Sequence, residues 1–150
     1  MATPERKVKD AVVTAIKQHG LHYTMPVTGG YGASGEPDFI LCVNGVFVGV
    51  ETKYDCKRHR LGATSKAGKR IMTNAPTSLQ RERMQSIRAS GGISLVVDRH
   101  NVIKFGGWLS SVLASGRCAG IHKDVVAMMI DAAKYYDVWY DVPPTTKVAV

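Results

Sequence analysis

The chain has few cysteines, no long apolar run and no internal repeat, and each absence excludes a class of protein. Cys42, Cys56 and Cys118 are odd in number and show no CxxC spacing, so neither a disulfide scaffold nor a structural zinc site is expected. No stretch approaches the roughly 18 apolar residues that a membrane span requires. The chain starts MATPERKVKDA, which is too charged for a secretory signal. We therefore expect a cytoplasmic protein in a reducing environment.

Acidic residues are scarce relative to basic ones. The 150 residues carry 20 Lys and Arg against 12 Asp and Glu, which gives a formal net charge of +8. Half of the basic residues lie between Lys53 and Arg88, together with only two acids, Asp55 and Glu82. Such clustering is typical of a surface that binds nucleic-acid phosphates, with a solvated face as the alternative. The candidate contacts in this segment are Lys57, Arg58, Arg60, Lys66, Lys69 and Arg70.

Local signals predict a single α/β domain over residues 1–150, with a mixed sheet flanked by helices in the order α-β-β-β-α-β. A helix is predicted at about 4–19, with Thr3 as its N-cap and Gly20 just after its end. Strands are predicted at 22–27, 38–43, 46–53 and 92–98, with 101–105 as a further candidate. A second helix is predicted at about 78–90. The core then spans about 4–98, followed by a helical addition at about 106–140 and a loose tail at 141–150.

The strongest local signal is Asn44-Gly45 between two apolar, β-branched runs, DFILCV and VFVGVETK. This dipeptide favours a two-residue type I′ turn, because that turn needs positive φ at both central residues. In the resulting register Asp38 lies directly opposite Glu51, with Cβ atoms about 4.5–5.5 Å apart on one face. Lys53 follows two residues later and emerges on the same face. Both faces of the hairpin are otherwise apolar, so helices are expected on both sides of the sheet.

Two directly opposed carboxylates repel each other and destabilise a sheet unless a cation or a raised pKa compensates. Lys53 supplies one positive charge. A Mg²⁺ ion would supply more, since it takes few protein carboxylates and keeps several waters. The alternative is that Asp38, Glu51 and Lys53 form a solvated network at the end of a hairpin.

These residues match a known pattern. The sequence GEPDF, the twelve residues between Asp38 and Glu51, and Glu51-Thr52-Lys53 together resemble the PD-(D/E)xK nuclease superfamily. The glycine-containing loop before Asp38 and Gln80 at the start of a helix are most similar to its small VRR-NUC branch, which includes stand-alone nucleases of phage and bacteria. The resemblance covers about residues 4–98. It implies a restriction-endonuclease-like fold and a Mg²⁺-dependent nuclease, with Mn²⁺ as a substitute metal.

The resemblance also implies roles for individual residues. Asp38 and Glu51 would be metal ligands, with the Thr52 carbonyl as a third. Lys53 would orient the attacking water and stabilise charge at the scissile phosphate. The expected substrate is DNA, cut by a structure-selective endonuclease, and the resemblance allows a homodimer.

Three further residues have two interpretations each. Glu5 lies on the apolar face of the first helix and fits a metal-binding acid, or it only complements the helix dipole. Gln80 fits a catalytic or substrate-contacting residue, or it only completes a T-x-x-Q capping box. Tyr31, in the glycine-rich loop, either stacks on a base or packs. The loop at 54–77 is long and basic for the family, and we expect it to fold over nucleic acid or to be ordered by it.

Two other functions are alternatives. One is a non-catalytic, basic nucleic-acid-binding protein. The other is an RNA-processing nuclease on a related fold. The presence of Asp38, Glu51 and Lys53 together favours the metal-dependent nuclease, because a protein that only binds gains little from acids that repel phosphate.

Overall fold

A mixed four-stranded sheet with helices on both faces forms the part of the chain that the structure describes. The computed structural model describes residues 3–27, 34–56 and 76–116. Its elements are α1 (Pro4–Gln18), β1 (Tyr23–Thr24), β2 (Phe39–Val43), β3 (Val46–Thr52), α2 (Ser78–Ala89), β4 (Ile93–Val97) and α3 (Val102–Ser115). The predicted α/β class and the order α-β-β-β-α-β are confirmed.

The sheet has the strand order β1-β2-β3-β4. Strands β1, β2 and β3 pair antiparallel, whereas β4 pairs parallel to β3. The β2–β3 register is the predicted one, with Val43 opposite Val46. Asn44 and Gly45 adopt φ values of 49° and 81°, as a type I′ turn requires. The hairpin is therefore set by its turn.

Helices α1 and α3 cover one face of the sheet and α2 covers the other. The core lies between the sheet and helices α1 and α3. It contains inward side chains of β2, β3 and β4 and two aromatic residues of α3, Phe105 and Trp108. On the opposite face, Gly49 allows α2 to approach closely. A Cβ at Gly49 would lie 2.8 Å from Pro37 Cγ and 3.1 Å from Ile87 Cδ1. The prediction of helices on both sides is thus confirmed.

Both predicted N-caps are formed. The Thr3 side chain accepts a hydrogen bond from the Arg6 N–H at 3.3 Å, and Pro4 is the first residue of α1. Thr77 and Gln80 form a reciprocal capping box at α2. These caps satisfy backbone donors that a helix start leaves without partners.

Among the residues that the structure describes, none of the helices combines the length and the apolar composition that a membrane span requires.

The candidate strand at 101–105 is wrong, because these residues begin helix α3, which starts before the predicted 106. Asn101 precedes the helix and is tied to the end of β4, where its Nδ2 donates to the Val96 carbonyl at 2.9 Å. Phe105, Trp108 and Val112 are buried at helical spacing, and this periodicity outweighs the β-branched residues at 102–103. The first strand is also shorter than the predicted 22–27, because β1 covers only Tyr23–Thr24. Pro26 lacks the N–H needed to extend its ladder.

The remaining predictions for the C-terminal region, a second helical piece up to 140 and a loose tail at 141–150, lie outside the described residues. The same holds for most of the loop at 54–77.

Candidate functional site

Asp38 lies at the open end of the β2–β3 hairpin and receives hydrogen bonds from Thr52. Its Oδ2 accepts from the Thr52 N–H at 2.9 Å and from the Thr52 hydroxyl at 2.6 Å. Its Oδ1 lies 3.3 Å from the Lys9 ammonium of α1. Donors from β3 and α1 therefore hold the Asp38 carboxylate in place, just before the start of β2.

Glu51 is buried beside it, near the end of β3, with 2% of its surface exposed. Its Oε1 accepts a hydrogen bond from Gln80 Nε2 at 2.8 Å and lies 3.3 Å from Lys53 Nζ. Its Oε2 is buried and has no hydrogen-bond partner among the described residues. An unsatisfied buried carboxylate oxygen is costly and points to a ligand that completes it.

The surroundings of Glu51 raise its pKa to about 7. Burial is the largest cause, and the negative charge of Asp38 is the second. Lys53 and Lys9 act in the opposite direction, but their attraction does not cancel the burial. The negative charge of Asp38 therefore acts on Glu51 through space, as expected from the hairpin register. A carboxylate in this position favours a nearby cation or a proton.

The site contains a lysine that the sequence reasoning missed. Lys9 Nζ lies 3.6 Å from Glu5 Oε1 and 3.3 Å from Asp38 Oδ1, so it links the first helix to the hairpin. A sequence signal existed, because Lys9 is four residues from Glu5 and shares its helix face. Asp10 points away and pairs with Arg6 at 3.1 Å. Glu5 thus borders the site through Lys9, and its predicted role as a metal ligand stays a prediction.

Gln80 forms the capping box and also contacts Glu51. Its predicted role as a catalytic or substrate-contacting residue stays a prediction. Its Oε1 accepts from the Thr77 N–H at 2.8 Å and closes the capping box. Its Nε2 donates to Glu51 Oε1 at 2.8 Å. The amide is therefore held at one end by its own helix and presents the other end to the buried acid. This contact joins α2 to the site from the face opposite α1.

Thr52 connects the two acids along β3. Its N–H points towards Asp38 on the β2 side, whereas the N–H of Lys53 donates to the Val97 carbonyl of β4 at 3.0 Å. Since the N–H and C=O of one strand residue point the same way, the Thr52 carbonyl is directed to the side where Asp38 lies. Its predicted role as a ligand is consistent with this direction.

The residues at this edge fit a hard divalent cation. The available donors are carboxylate oxygens of Asp38 and Glu51 and a backbone carbonyl, which are the ligand types that Mg²⁺ prefers. The unpartnered Oε2 of Glu51 is the atom whose environment is incomplete without such a ligand.

A second polar group lies where β3 and β4 end, and the sequence analysis did not identify it. Ligand atoms of Asp55, Asp98 and His100 all lie within 4.8 Å of one another, which is a spacing that can hold a metal ion. Asp55 Oδ1 contacts His100 Nε2 at 2.9 Å. Asp98, however, already accepts from the N–H groups of Cys56, His100 and Asn101. Its oxygens shape the turn after β4, so this group primarily ties the two strand exits together.

The predicted nucleic-acid contacts belong to the glycine-rich loop and the basic loop. They are Tyr31, Lys57, Arg58, Arg60, Lys66, Lys69 and Arg70, and all lie outside the described residues. Comparison with protein-family models and with curated proteins finds no match to the chain. The geometry of Asp38, Glu51, Lys53 and Gln80 and the net charge of +8 are therefore the features that point to a function.

Proposed function

We propose that the chain is a Mg²⁺-dependent nuclease that hydrolyses phosphodiester bonds in DNA. The observation that carries the proposal is the state of Glu51, a buried acid with one unpartnered oxygen and a pKa of about 7. Structural carboxylates are usually fully hydrogen bonded when buried. A strongly perturbed acid with a specific charged neighbour is instead typical of a functional site.

Asp38 and Glu51, at the open end of the β2–β3 hairpin, would hold the metal ion. A bound divalent ion would lower the pKa of a coordinated water and neutralise charge on the phosphoryl oxygens. The protein has already fixed the ligands before any metal binds. Thr52 holds Asp38 through two hydrogen bonds, and Gln80 holds Glu51 through one. Such preorganisation reduces the conformational entropy lost on binding.

Lys53 would act on the water and the phosphate. Its side chain is 12% exposed and its ammonium lies 3.3 Å from Glu51 Oε1, so the charge is shielded from bulk water yet near the acids. A compact ammonium is well suited to orient a nucleophile and to stabilise negative charge that develops on a phosphate. Lys9, on the α1 side, would add positive charge that attracts the substrate backbone.

The net charge of +8 supports a polyanionic substrate, because basic proteins attract nucleic acids at long range. Neutral small-molecule substrates would not require such an excess. The preference for DNA over RNA, for branched or nicked structures and for internal cleavage is proposed from the resemblance to VRR-NUC nucleases.

A cleavage assay tests the proposal. The purified chain is incubated with supercoiled plasmid, single-stranded DNA, branched DNA and RNA, each with Mg²⁺, Mn²⁺ or EDTA. We expect DNA cleavage with either metal and none in EDTA. Glu51→Gln and Lys53→Met should each lower the rate by about 10²-fold or more. Glu82→Gln, at an exposed acid on α2, is the matched control and should cleave like the wild type.

A readout that does not depend on cleavage separates metal binding from chemistry. Calorimetric titration with Mg²⁺ should give heat with the wild type and with Lys53→Met, but not with Glu51→Gln. Cleavage that persists in EDTA, or in Glu51→Gln, would overturn the metal-dependent mechanism. Cleavage of RNA in preference to every DNA substrate would overturn the choice of substrate.

A further inference from the structure

A pocket of 280 Å³ lies on the other side of α1 from Glu5 and Lys9. Its inner surface is apolar and comes from Val8, Ala11 and Val102. We name it the Tyr54 pocket, because Tyr54 lines it together with Arg99, Lys7 and Pro4. The volume falls just below the range of about 300–1,000 Å³ that is usual for sites of drug-sized ligands. The pocket therefore suits one small planar group.

The walls of the Tyr54 pocket combine planar surfaces with positive charge. The Arg99 guanidinium carbon lies 5.5 Å from the centre of the Tyr54 ring, and Arg99 donates to the Tyr54 hydroxyl at 3.0 Å. These contacts hold both flat groups in place. Lys7 adds a second cation, and none of the described lining residues is acidic. Buried Asp55, whose Oδ2 lies 3.6 Å from Arg99 Nε, balances part of the Arg99 charge. Apolar and planar walls with two cations complement a heteroaromatic ring that carries a phosphate.

The position of the pocket relates it to the candidate active site. Tyr54 directly follows Lys53, just past the end of β3 at Thr52. The ammonium of Lys53 lies against Glu51, whereas Tyr54 lines the pocket. On α1, similarly, Glu5 and Lys9 face the acids while Lys7 and Ala11 face the pocket. A strand with one phosphate at Lys53 would therefore bring a neighbouring nucleotide to the pocket.

We propose that the Tyr54 pocket receives one unpaired nucleobase of the bound strand, stacked on Tyr54 and Arg99, with Lys7 at its phosphate. This inference rests on the proposed nuclease function. A base inside a duplex is paired and stacked, and it must leave the stack before it can enter such a pocket. The pocket thus gives a physical reason for selecting single-stranded or branched DNA over intact duplex.

An abasic scan of a single-stranded oligonucleotide tests the proposal on the wild-type protein. Fluorescence anisotropy in EDTA measures binding without cleavage, and one base at a time is replaced by an abasic site. We expect one position at which the abasic site weakens binding about tenfold, in the range measured for base–aromatic stacking. Equal binding at every position would overturn the proposal.

Variants connect that position to the pocket. Tyr54→Ala should weaken single-strand binding about tenfold, leave duplex binding within about twofold and abolish the effect of the sensitive abasic site. Tyr54→Phe keeps the ring and should bind within about threefold of the wild type. Lys7→Ala should lower the slope of log affinity against log salt by about 1, whereas Lys17→Ala, an exposed lysine at the far end of α1, should act less. Equal loss on single-stranded and duplex DNA in Tyr54→Ala would contradict the assignment.

A competition experiment distinguishes the two ligands that could supply a base with a phosphate, a nucleic-acid strand and a free nucleotide. A deoxynucleoside monophosphate should displace the labelled oligonucleotide only at concentrations far above those of an unlabelled oligonucleotide. Equal competition would assign the pocket to a free nucleotide and overturn the strand interpretation. Because binding is measured in EDTA, a sensitive abasic position without any cleavage would reject the nuclease and keep the pocket. Cleavage without a sensitive abasic position would support the nuclease and reject the proposed role of the pocket.

Discussion

Replacing Glu51 by glutamine should stabilise the metal-free protein at pH values above 7. Glu51 is 2% exposed, and burial followed by the charge of Asp38 raises its pKa from 4.5 to about 7. The folded protein therefore binds this proton more tightly than the unfolded chain does. The free energy of unfolding contributed by Glu51 is fully present below pH 4.5 and is lost as the pH rises through 7.

The magnitude follows from the same values. Each tenfold change in proton affinity corresponds to about 1.36 kcal/mol, so a rise from 4.5 to about 7 corresponds to about 3 kcal/mol. The value of about 7 already includes the attraction of Lys53. Glutamine cannot ionise, and its Oε1 can still accept the hydrogen bond from Gln80. We expect Glu51→Gln to be more stable than the wild type by about 3 kcal/mol at pH 8, but by less than about 1 kcal/mol at pH 5.

Urea unfolding in EDTA at pH 5 and pH 8 measures this difference. Glu82→Gln, at an exposed glutamate of α2, is the control and should change stability by less than about 0.5 kcal/mol at both pH values. Mg²⁺ at a hundred times its Kd should stabilise the wild type by about 2.7 kcal/mol and leave Glu51→Gln unchanged. A Glu51→Gln protein that is less stable than the wild type at pH 8 in EDTA would refute the reasoning.

Three further variants test the supports of the site by thermal unfolding and cleavage rate. Gln80→Ala removes both a helix cap and a donor to Glu51, and should cost about 1–2 kcal/mol of stability together with activity; unchanged melting would contradict this. Gly49→Ala places a Cβ 2.8 Å from Pro37 Cγ and should lower the free energy of unfolding by about 1–3 kcal/mol. It should also slow cleavage, because Pro37 directly precedes Asp38. Lys9→Met removes a charge that lowers the pKa of Glu51, so the pH at which stability is lost should move upward; an unchanged midpoint would exclude Lys9 from the site.

Much of the fold could be predicted because its determinants are local. The Asn44-Gly45 turn forces positive φ at two residues, and this alone sets the β2–β3 register. The caps at Thr3 and Thr77 also act within one helical turn. Prediction failed at 101–105, where β-branched residues suggested a strand. In the structure, Phe105, Trp108 and Val112 are buried at helical spacing. The core in which they lie is formed by distant parts of the chain.

The candidate site likewise contains some contacts that the sequence could predict and others that it could not. The hairpin register brings Asp38, Glu51 and Lys53 to one edge, and this juxtaposition could be derived from the turn. The contact of Lys9 with Asp38 at 3.3 Å could not, because it depends on how α1 lies across the sheet. Neither could the double use of Gln80, since the sequence presents a cap and a site residue as alternatives.

The sequence by itself determined which acids share an edge, because turn geometry and the two-residue period of a strand act over a few bonds. Only the tertiary structure decided how far the pKa of Glu51 is raised. The burial of Glu51, its unpartnered oxygen and its pKa of about 7 arise when α1 and α2 cover the two faces and remove water. Desolvation and charge interactions act through space, so no local pattern in the chain records them.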